Sequence, residues 1–389
     1  MMVYLDHNAS SPLRPSAKRA VLEALESCGN ASSVHSAGRA ARARIERARE
    51  SVARFADAQP GTVIFVSGGS EANTAALRGA VAGALAAEDR ITRIFISAIE
   101  HESVRAVAAA LGETVPGLKV SEIPVTPAGT VDLPAFRLKL MQGKGRVLVS
   151  VMAANNETGA VQDLVGLTDL VRSEGSEGSL LHVDAVQAAG RMAFSFARLG
   201  ADYMTLSAHK LGGPQGAGAL SLKEGAPFAP LIAGGGQELG RRSGTENVAA
   251  IGGFGAAAEE AANFSAEAER LRSLRDRFEH ELKQRAPEAV IFADTVERLP
   301  NTSNFAIPGL AAETALIALD LDGIAVSSGS ACSSGKVKPS HVLAAMGVDE
   351  SLARCGLRVS FGWSNGEADV DVVIASLSRL IARRAAMAA

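Results

Sequence analysis

Cysteine and aromatic residues are scarce in this chain of 389 residues, which has three cysteines, two tyrosines and one tryptophan. The cysteines, Cys28, Cys332 and Cys355, are too few and too far apart for a disulfide framework or a cysteine-rich metal site. We therefore expect a reducing, cytoplasmic setting, in which one of the three can be a free reactive thiol.

Long apolar runs and blocks of like charge are also missing. No run approaches the roughly 18 apolar residues of a membrane-spanning helix, and the start, MMVYLDHNAS, lacks the apolar core of a secretion signal. The net charge is −3, and the densest basic stretch, 39–54, mixes arginine with glutamate at helical spacing, as on a solvated helix face. These absences argue against membrane and nucleic-acid binding, and they predict a soluble protein that is not exported.

The chain is rich in short β-branched runs that alternate with longer segments of Ala, Leu and Arg, a pattern typical of an α/β layer fold. Five predicted strands are each followed by polar residues or glycines. They are 63–66, 94–99, 147–152, 180–183 and 203–206. Ligands of open α/β sheets bind beyond the carboxyl ends of the strands, so we expect these five strand ends to meet at one crevice.

The pattern changes after about residue 262. A charged helical stretch, 265–284, precedes predicted strands at 304–307, 324–327 and 357–361. We predict a large domain over residues 16–262 and a smaller α/β domain built from 1–15 and 263–389. The Ala- and Glu-rich region 256–269 is predicted to be a connecting helix.

A glycine turn, Ser67-Gly68-Gly69-Ser70, closes the first strand and opens an alanine-rich helix. The free backbone amides of such a helix start, together with a hydroxyl, can bind a phosphate group. A plain strand-to-helix connection with Ser70 as N-cap would have the same sequence. The chain has no G-x-x-x-x-G-K-[ST] loop of the kind that binds nucleoside triphosphates.

Two charged residues follow later strands. Asp184 comes after an apolar run, where a carboxylate is costly to bury unless a positive group faces it; otherwise it is a structural turn residue. Lys210 leaves a strand end into a glycine turn, where an amine can form a Schiff base or be a plain surface charge. A buried acid opposite a pyridine nitrogen, near a phosphate site and a lysine, is the arrangement that pyridoxal phosphate requires.

Other polar residues near these strand ends suit the same cofactor. Gln187 can hydrogen-bond the ring's phenolic oxygen, and Ser207 and His209 can reach a phosphate. His101 can stack on a flat ring or transfer protons, and it can equally be a histidine that caps a helix. Arg358 lies inside an apolar strand, where it can bind a carboxylate through two hydrogen bonds or form a salt bridge at a sheet edge.

Cys332 lies in a run of small residues, Ser-Ser-Gly-Ser-Ala-Cys-Ser-Ser-Gly-Lys, at 327–336. Such a run is unsuited to a packed core, and a thiol near Lys336 is placed to ionise and to attack sulfur. Cys28 and Cys355 have ordinary or apolar neighbours, so we assign both to packing.

Together these residues resemble the NifS/IscS-like cysteine desulfurases, a group within the class V aminotransferase family of fold-type I pyridoxal-phosphate enzymes. The resemblance covers nearly the whole chain, and its most specific part is a lysine, an aspartate and a loop cysteine in this arrangement. Its motifs include Tyr4-Leu5-Asp6-His7-Asn8-Ala9, Glu100-His101, Asn155-Asn156-Glu157-Thr158-Gly159, His182-Val183-Asp184, Arg242-Ser243-Gly244-Thr245 and the Ser-Ser-Gly-Ser-Ala-Cys run ending at Cys332.

The resemblance implies a large domain with a mostly parallel seven-stranded sheet flanked by helices, and a smaller α/β C-terminal domain that carries the cysteine loop. It implies that Lys210 binds pyridoxal 5′-phosphate covalently, that Asp184 pairs with the pyridine nitrogen and that Gln187 faces the phenolic oxygen. The other implied roles are phosphate binding by Gly69, Ser70, Ser207 and His209, ring stacking by His101, binding of the substrate carboxylate by Asn156 and Arg358, and contact of Thr245 with the cofactor phosphate of a neighbouring subunit.

The implied reaction removes sulfur from L-cysteine, yields L-alanine and leaves a persulfide on Cys332, with Lys210 and His101 as acid–base groups. The expected partners are L-cysteine, a second copy of the chain and a sulfur acceptor, such as an iron–sulfur scaffold protein in general or nitrogenase cluster assembly. No metal is expected. Two alternatives stay open: another fold-type I enzyme, such as an aminotransferase or selenocysteine lyase, and a non-catalytic scaffold or nucleotide-binding module.

Overall fold

The computed structural model describes residues 2–328 and 340–388. The described strands are β1 Val3–Tyr4, β2 Val63–Val66, β3 Ile91–Ser97, β4 Lys119–Ile123, β5 Arg146–Met152, β6 Leu180–Asp184, β7 Tyr203–Ser207, β8 Gly218–Leu222, β9 Val290–Ile291, β10 Thr302–Ala306, β11 Ile324–Ala325 and β12 Gly356–Ser360. The described helices are α1 Pro15–Leu25, α2 Ser36–Ala56, α3 Gly69–Ala86, α4 Glu102–Thr114, α5 Leu133–Met141, α6 Leu164–Glu174, α7 Phe196–Leu199, α8 Val248–Ala261, α9 Phe264–Arg285, α10 Ala312–Leu321, α11 His341–Ala345, α12 Glu350–Ala353 and α13 Glu367–Ala388. None of these helices combines the length and the apolar character that crossing a membrane requires.

Seven strands form the central sheet, in the order β2-β8-β7-β6-β5-β3-β4. Strand β8 pairs antiparallel with β2 and with β7, and the other neighbouring pairs are parallel. Parallel neighbours need crossover connections, which α4 provides between β3 and β4, α6 between β5 and β6, and α7 between β6 and β7. The mostly parallel, seven-stranded sheet that the resemblance implied is confirmed.

The sheet is buried on both faces, as strand β5 shows. Val147, Val149 and Val151 pack into an apolar core on one face, and Leu148 packs into the core on the other face. Parallel strands covered by helices on both sides have nearly continuous apolar sequences. This is why such runs identified the central strands in the sequence.

A further core lies in the C-terminal part of the chain and includes the N-terminal residue Leu5, which packs with residues such as Phe278, Phe305 and Phe361. Strand β1 pairs parallel with β11, and β12, β10 and β9 form an antiparallel sheet. The N-terminal strand thus packs with the smaller core. The domain boundary near residue 262 stays a prediction.

Two local predictions are wrong. The predicted connecting helix over 256–269 is broken, because α8 ends at Ala261 and α9 begins at Phe264 after Asn263, which has non-helical backbone angles; asparagine favours such positions because its side chain competes for backbone hydrogen bonds. The strand predicted at 324–327 ends at Ala325, and Ser327 forms only an isolated bridge with Arg358. Strand β8, Gly-Ala-Leu-Ser-Leu, has no β-branched residue, so the pattern did not identify it.

Candidate active site

The carboxyl ends of the central strands meet at a cavity of about 990 Å³. All five predicted strand-end clusters contribute to its lining, through residues that include Gly69, His101, Asn156, Asp184 and Lys210. This is the edge of an open α/β sheet at which ligands bind. A second cavity of about 310 Å³ shares Gly69, Ser70 and His209 with the first.

The glycine turn forms one end of the cavity. Helix α3 begins at Gly69 with Gly68 as its N-cap, so Ser70 is not the N-cap, and the first amides of the helix have no partner within it. A Cβ atom at Gly69 would lie 3.1 Å from Cγ2 of Val186 and 3.5 Å from Cβ of Ser207, so a side chain would fill this space. The hydroxyl of Ser207 is buried and has no hydrogen-bond partner among the described residues. Free amides and an unpartnered hydroxyl around an open space fit a phosphate group.

Lys210 is half-buried, and its Nζ donates to the backbone oxygens of Asn8 and Ala9 at 2.7 and 2.8 Å. Burial lowers the pKa of this amine to about 7. Two arginines add to the lowering and two carboxylates oppose it; these are Arg191, Arg358, Asp6 and Asp184. A large fraction of the amine is therefore neutral near pH 7, as a nucleophilic lysine requires.

His209 lies beside Lys210 and lines both cavities. Its Nδ1 is 3.3 Å from the hydroxyl of Ser10. Burial lowers the pKa of this imidazole to about 4, and the charges of Lys210 and Arg191 contribute. The ring is therefore neutral near pH 7 and can act as a hydrogen-bond donor toward a bound anion.

Asp184 is 6% exposed and forms no ion pair within the described parts of the chain. Its Oδ1 accepts from the backbone amide of Val186 at 3.0 Å, and its Oδ2 accepts from Nδ2 of Asn73 at 2.8 Å. Asn73 also donates to the hydroxyl of Ser103 at 2.9 Å, and that hydroxyl is 2.8 Å from Nδ1 of His101. A buried carboxylate held by neutral donors fits a positively charged pyridine nitrogen.

His101 caps a helix and also lines the cavity, so both roles considered for it are compatible with the structure. It is the N-cap of α4, where its Nδ1 accepts from the backbone amide of Ser103 at 3.1 Å. Because Nδ1 is an acceptor, we assign the proton of the neutral ring to Nε2. The exposed ring therefore has a donor on the side away from the helix.

Gln187 is held by two contacts that sequence reasoning missed. Its Nε2 donates to the backbone oxygen of Asn8 at 3.0 Å, and its Oε1 accepts from the guanidinium of Arg191. Arg191 follows Gln187 by four residues, which is contact spacing on a helical turn. That spacing is the one signal by which the sequence could have revealed it.

Arg358 is 4% exposed and lines the cavity from strand β12 of the smaller sheet. Its Nη2 donates to Oδ1 of Asp6 at 2.6 Å, and its Nη1 donates to the backbone oxygen of Asn156 at 2.9 Å. Its Nε has no partner within the described part of the chain. The salt bridge at a sheet edge is therefore present, and the guanidinium still borders the cavity.

Four residues considered in the sequence need separate mention. Thr245 is exposed and does not line the cavity of its own chain. Cys332 lies outside the described residues. The assignment of Cys28 to packing is wrong, because Cys28 is exposed in the segment after α1, whereas Cys355 is buried as predicted. No group of three His, Cys, Asp or Glu side chains within residues 2–328 and 340–388 could hold a metal ion.

Comparisons with known proteins agree with this arrangement. The family model of class-V aminotransferases matches residues 3–373. A cysteine desulfurase of Cereibacter sphaeroides is 42% identical over 381 residues, which are 97% of this chain and 95% of that protein. An IscS-like cysteine desulfurase of Mycobacterium tuberculosis is 40% identical over 392 residues, which are 100% of this chain and 99% of that protein. The solved NifS-like protein from Rickettsia africae has a TM-score of 0.87 and 35% identity, with 98% of this chain and 99% of that chain covered.

The chain therefore belongs to the class V aminotransferase family. Within that family it is a member of the NifS/IscS-like group, and its cofactor is pyridoxal 5′-phosphate. The cavity fits this cofactor, since it brings together a phosphate cradle at Gly69 and Ser207, a buried acid at Asp184 and an amine of lowered pKa at Lys210.

The lowered pKa of Lys210 predicts how cofactor binding depends on pH. The cofactor-free protein should bind pyridoxal phosphate several-fold faster at pH 8 than at pH 6, because Lys210, with a pKa of about 7, loses its proton between these values. Stopped-flow absorbance, with borohydride trapping and mass spectrometry to identify Lys210, measures this rate. A rate that rises only as pH approaches the ordinary lysine pKa of about 10.4 would contradict the prediction.

Proposed function

We propose that this protein is a cysteine desulfurase, a sulfurtransferase that removes sulfur from L-cysteine and releases L-alanine. The observation that carries the proposal is the position of Ser327 and Ser328, which line the same cavity as Lys210 and Asp184. Cys332 follows Ser328 by four residues in the sequence. The residues that immediately precede the predicted cysteine loop therefore lie at the cavity. The relatives named cysteine desulfurase, of nearly equal length, support the same proposal.

The cavity residues named above have proposed roles in this reaction. Bound pyridoxal phosphate supplies the electron sink that allows the Cα–H bond of the substrate to break. Asp184 would face the pyridine nitrogen, and Gly69, Ser70, Ser207 and His209 would hold the phosphate. Lys210 Nζ, whose lowered pKa of about 7 leaves a large fraction of the amine neutral near pH 7, would accept the Cα proton. His101 presents its Nε2 hydrogen to the cavity as the second acid–base group.

Arg358 and Asn156 are proposed to bind the substrate carboxylate. Arg358 is positioned by Asp6 and by the backbone of Asn156, and its Nε has no partner among residues 2–328 and 340–388. A guanidinium that is already oriented loses little side-chain entropy when a carboxylate binds. The amino acid would thereby be placed with its side chain free to point away from the arginine.

Cys332 is proposed to carry out the sulfur transfer. Its thiolate attacks the sulfur atom of the substrate, the carbon–sulfur bond of the substrate breaks, and the sulfur remains on Cys332 as a persulfide. The carbon skeleton takes up a proton and leaves as alanine. The persulfide sulfur then passes to an acceptor thiol, for iron–sulfur cluster assembly or another sulfur-transfer pathway.

Several features of the protein's setting stay predictions. We propose a homodimer in which the exposed Thr245 reaches the cofactor phosphate of the neighbouring subunit. L-Cysteine and a sulfur-acceptor or scaffold protein are the proposed partners. Cytoplasmic localisation and the absence of nucleic-acid and membrane partners are retained from the sequence.

An assay with the purified, cofactor-loaded protein tests the function. With L-cysteine and dithiothreitol, alanine and sulfide should form in equal amounts, because the reductant releases each persulfide sulfur. L-Serine, which lacks the sulfur, is the matched control and should yield no alanine. Amino-group transfer to a 2-oxo acid without sulfide would instead identify an aminotransferase, and turnover of selenocysteine alone would identify a selenocysteine lyase.

A further inference from the structure

Arg191 is a buried cation for which the proposed reaction has no task. The residue is 6% exposed. Its hydrogen bonds go to neutral oxygens: the backbone oxygens of Gln187, His7 and Lys210 at 3.2, 3.1 and 3.3 Å, and Oε1 of Gln187. Burial lowers the pKa of Arg191 and the charge of Glu267 opposes this lowering, but the carboxylate of Glu267 accepts its hydrogen bonds from Arg14. Burying a guanidinium to which no carboxylate is bonded costs free energy. This cost indicates that the hydrogen bonds of Arg191 have a structural or functional role.

The backbone brings Arg191 to this position through a helical turn. The amide of Ala189 donates to the oxygen of Ala185, and the amide of Arg191 donates to the oxygen of Ala188, both at 3.0 Å. Gly190 then adopts a φ of +73°, which favours glycine, and a Cβ atom there would lie 3.2 Å from Cβ of Ala261. The chain thus turns at Gly190, and the guanidinium of Arg191 contacts the side chain of Gln187.

The contacts of Arg191 determine how the amide of Gln187 is oriented. A guanidinium can only donate hydrogen bonds, so the atom that it contacts must be the carbonyl oxygen of the amide. The NH2 group of Gln187 then points the other way, and one of its two hydrogens is used by the backbone oxygen of Asn8 at 3.0 Å. Gln187 lines the large cavity, so its remaining N–H can donate a hydrogen bond to a ligand there.

We propose that Arg191 is a positioning residue of the cofactor site, which holds Gln187 with its NH2 group toward the cavity and so presents a donor to the cofactor's phenolic oxygen. It also ties this side chain to the backbone of Lys210 and of His7. The inference rests on the role of Gln187 in the proposed function.

The charge of Arg191 must be kept constant in a test of its positioning role. Burial and then this guanidinium lower the pKa of Lys210, Arg358 lowers it further, and Asp6 and Asp184 raise it. His209 is adjacent to Lys210 in the sequence, and its own pKa is lowered by burial and then by the charges of Lys210 and Arg191. The substitution Arg191→Lys keeps the positive charge, but a lysine ammonium cannot reproduce the planar set of contacts.

The test is a pH titration of the visible absorption of the bound cofactor. A phenolic oxygen that has lost its donor attracts the proton at Nζ of Lys210 more strongly, so in Arg191→Lys the affinity for that proton should rise at least about threefold. In a Gln187→Met background the same substitution should cause no further shift, because positioning requires the amide. Arg275→Lys, which changes a buried arginine bonded to the backbone of Leu299, is the matched control and should cause no shift.

Two results would overturn the inference: an unchanged titration in Arg191→Lys, or an equal shift with and without Gln187. Cofactor-free protein provides a second measurement in case the variant no longer binds pyridoxal phosphate. The NH2 signal of Gln187, assigned by its loss in Gln187→Met, should exchange with solvent at least about tenfold faster in Arg191→Lys; equal exchange rates also overturn the inference. If the wild-type protein binds no pyridoxal phosphate, the proposed function fails, whereas the exchange measurement still tests the contact between Arg191 and Gln187.

Discussion

The variant Lys210→Ala should form alanine from L-cysteine about 10³-fold more slowly than the wild type, or slower still. Loss of an acid–base group typically lowers a rate by about 10²–10⁴-fold, and this variant also loses the covalent link to the cofactor. The Lys210 amine lines the cavity and burial lowers its pKa to about 7, which fits the proposed roles of nucleophile and proton acceptor. Product analysis with saturating cysteine and added pyridoxal phosphate measures the rate. Borohydride treatment should label the wild-type protein at Lys210 and leave the variant unlabelled.

Lys223→Ala is the matched control for this experiment. Lys223 also lies shortly after a strand, β8, but its side chain is 55% exposed and its Nζ lies 3.7 Å from Oδ1 of Asp202. Activity and cofactor labelling should stay close to wild type in this variant. If Lys210→Ala and Lys223→Ala had the same activity, Lys210 would not be the cofactor-binding lysine.

The second large effect is expected for Cys332→Ala, which should lower sulfide release from L-cysteine by at least about 10³-fold because the nucleophile for the substrate sulfur is lost. The variant should still bind pyridoxal phosphate and L-cysteine, since Lys210, Asp184 and Arg358 are unchanged. Addition of cysteine should therefore still alter the visible absorption of the cofactor, while mass spectrometry should find no persulfide on the protein.

Cys28→Ala is the control for the thiol, because Cys28 is the exposed cysteine among those that the structure describes. It should release sulfide at the wild-type rate. Undiminished sulfide release from Cys332→Ala would remove the cysteine desulfurase assignment and favour another fold-type I enzyme. The cofactor assignment would be unaffected, because it depends on Lys210 and Asp184.

The sequence by itself determined the class of fold and the location of the site. Buried parallel strands have continuous apolar sequences, and their carboxyl ends meet at one edge of the sheet, so polar residues after five such runs had to converge. Gly69, Asp184 and Lys210 could therefore be recognised one after another. The helix break at Asn263 and strand β8 were missed because local composition there is ambiguous.

Only the tertiary structure decided how those residues are held and charged. Arg358 contacts Asp6, and Lys210 contacts Asn8, across large separations in the sequence, and Arg191 contacts Gln187 across a turn. A linear pattern does not encode which acceptor a buried donor will reach. The pKa of Lys210 depends on burial and on charges brought together by folding. Sequence thus indicated candidate residues that the fold brings to one cavity, and the packed structure set their orientation and pKa values, because desolvation and hydrogen-bond geometry exist only once the chain is folded.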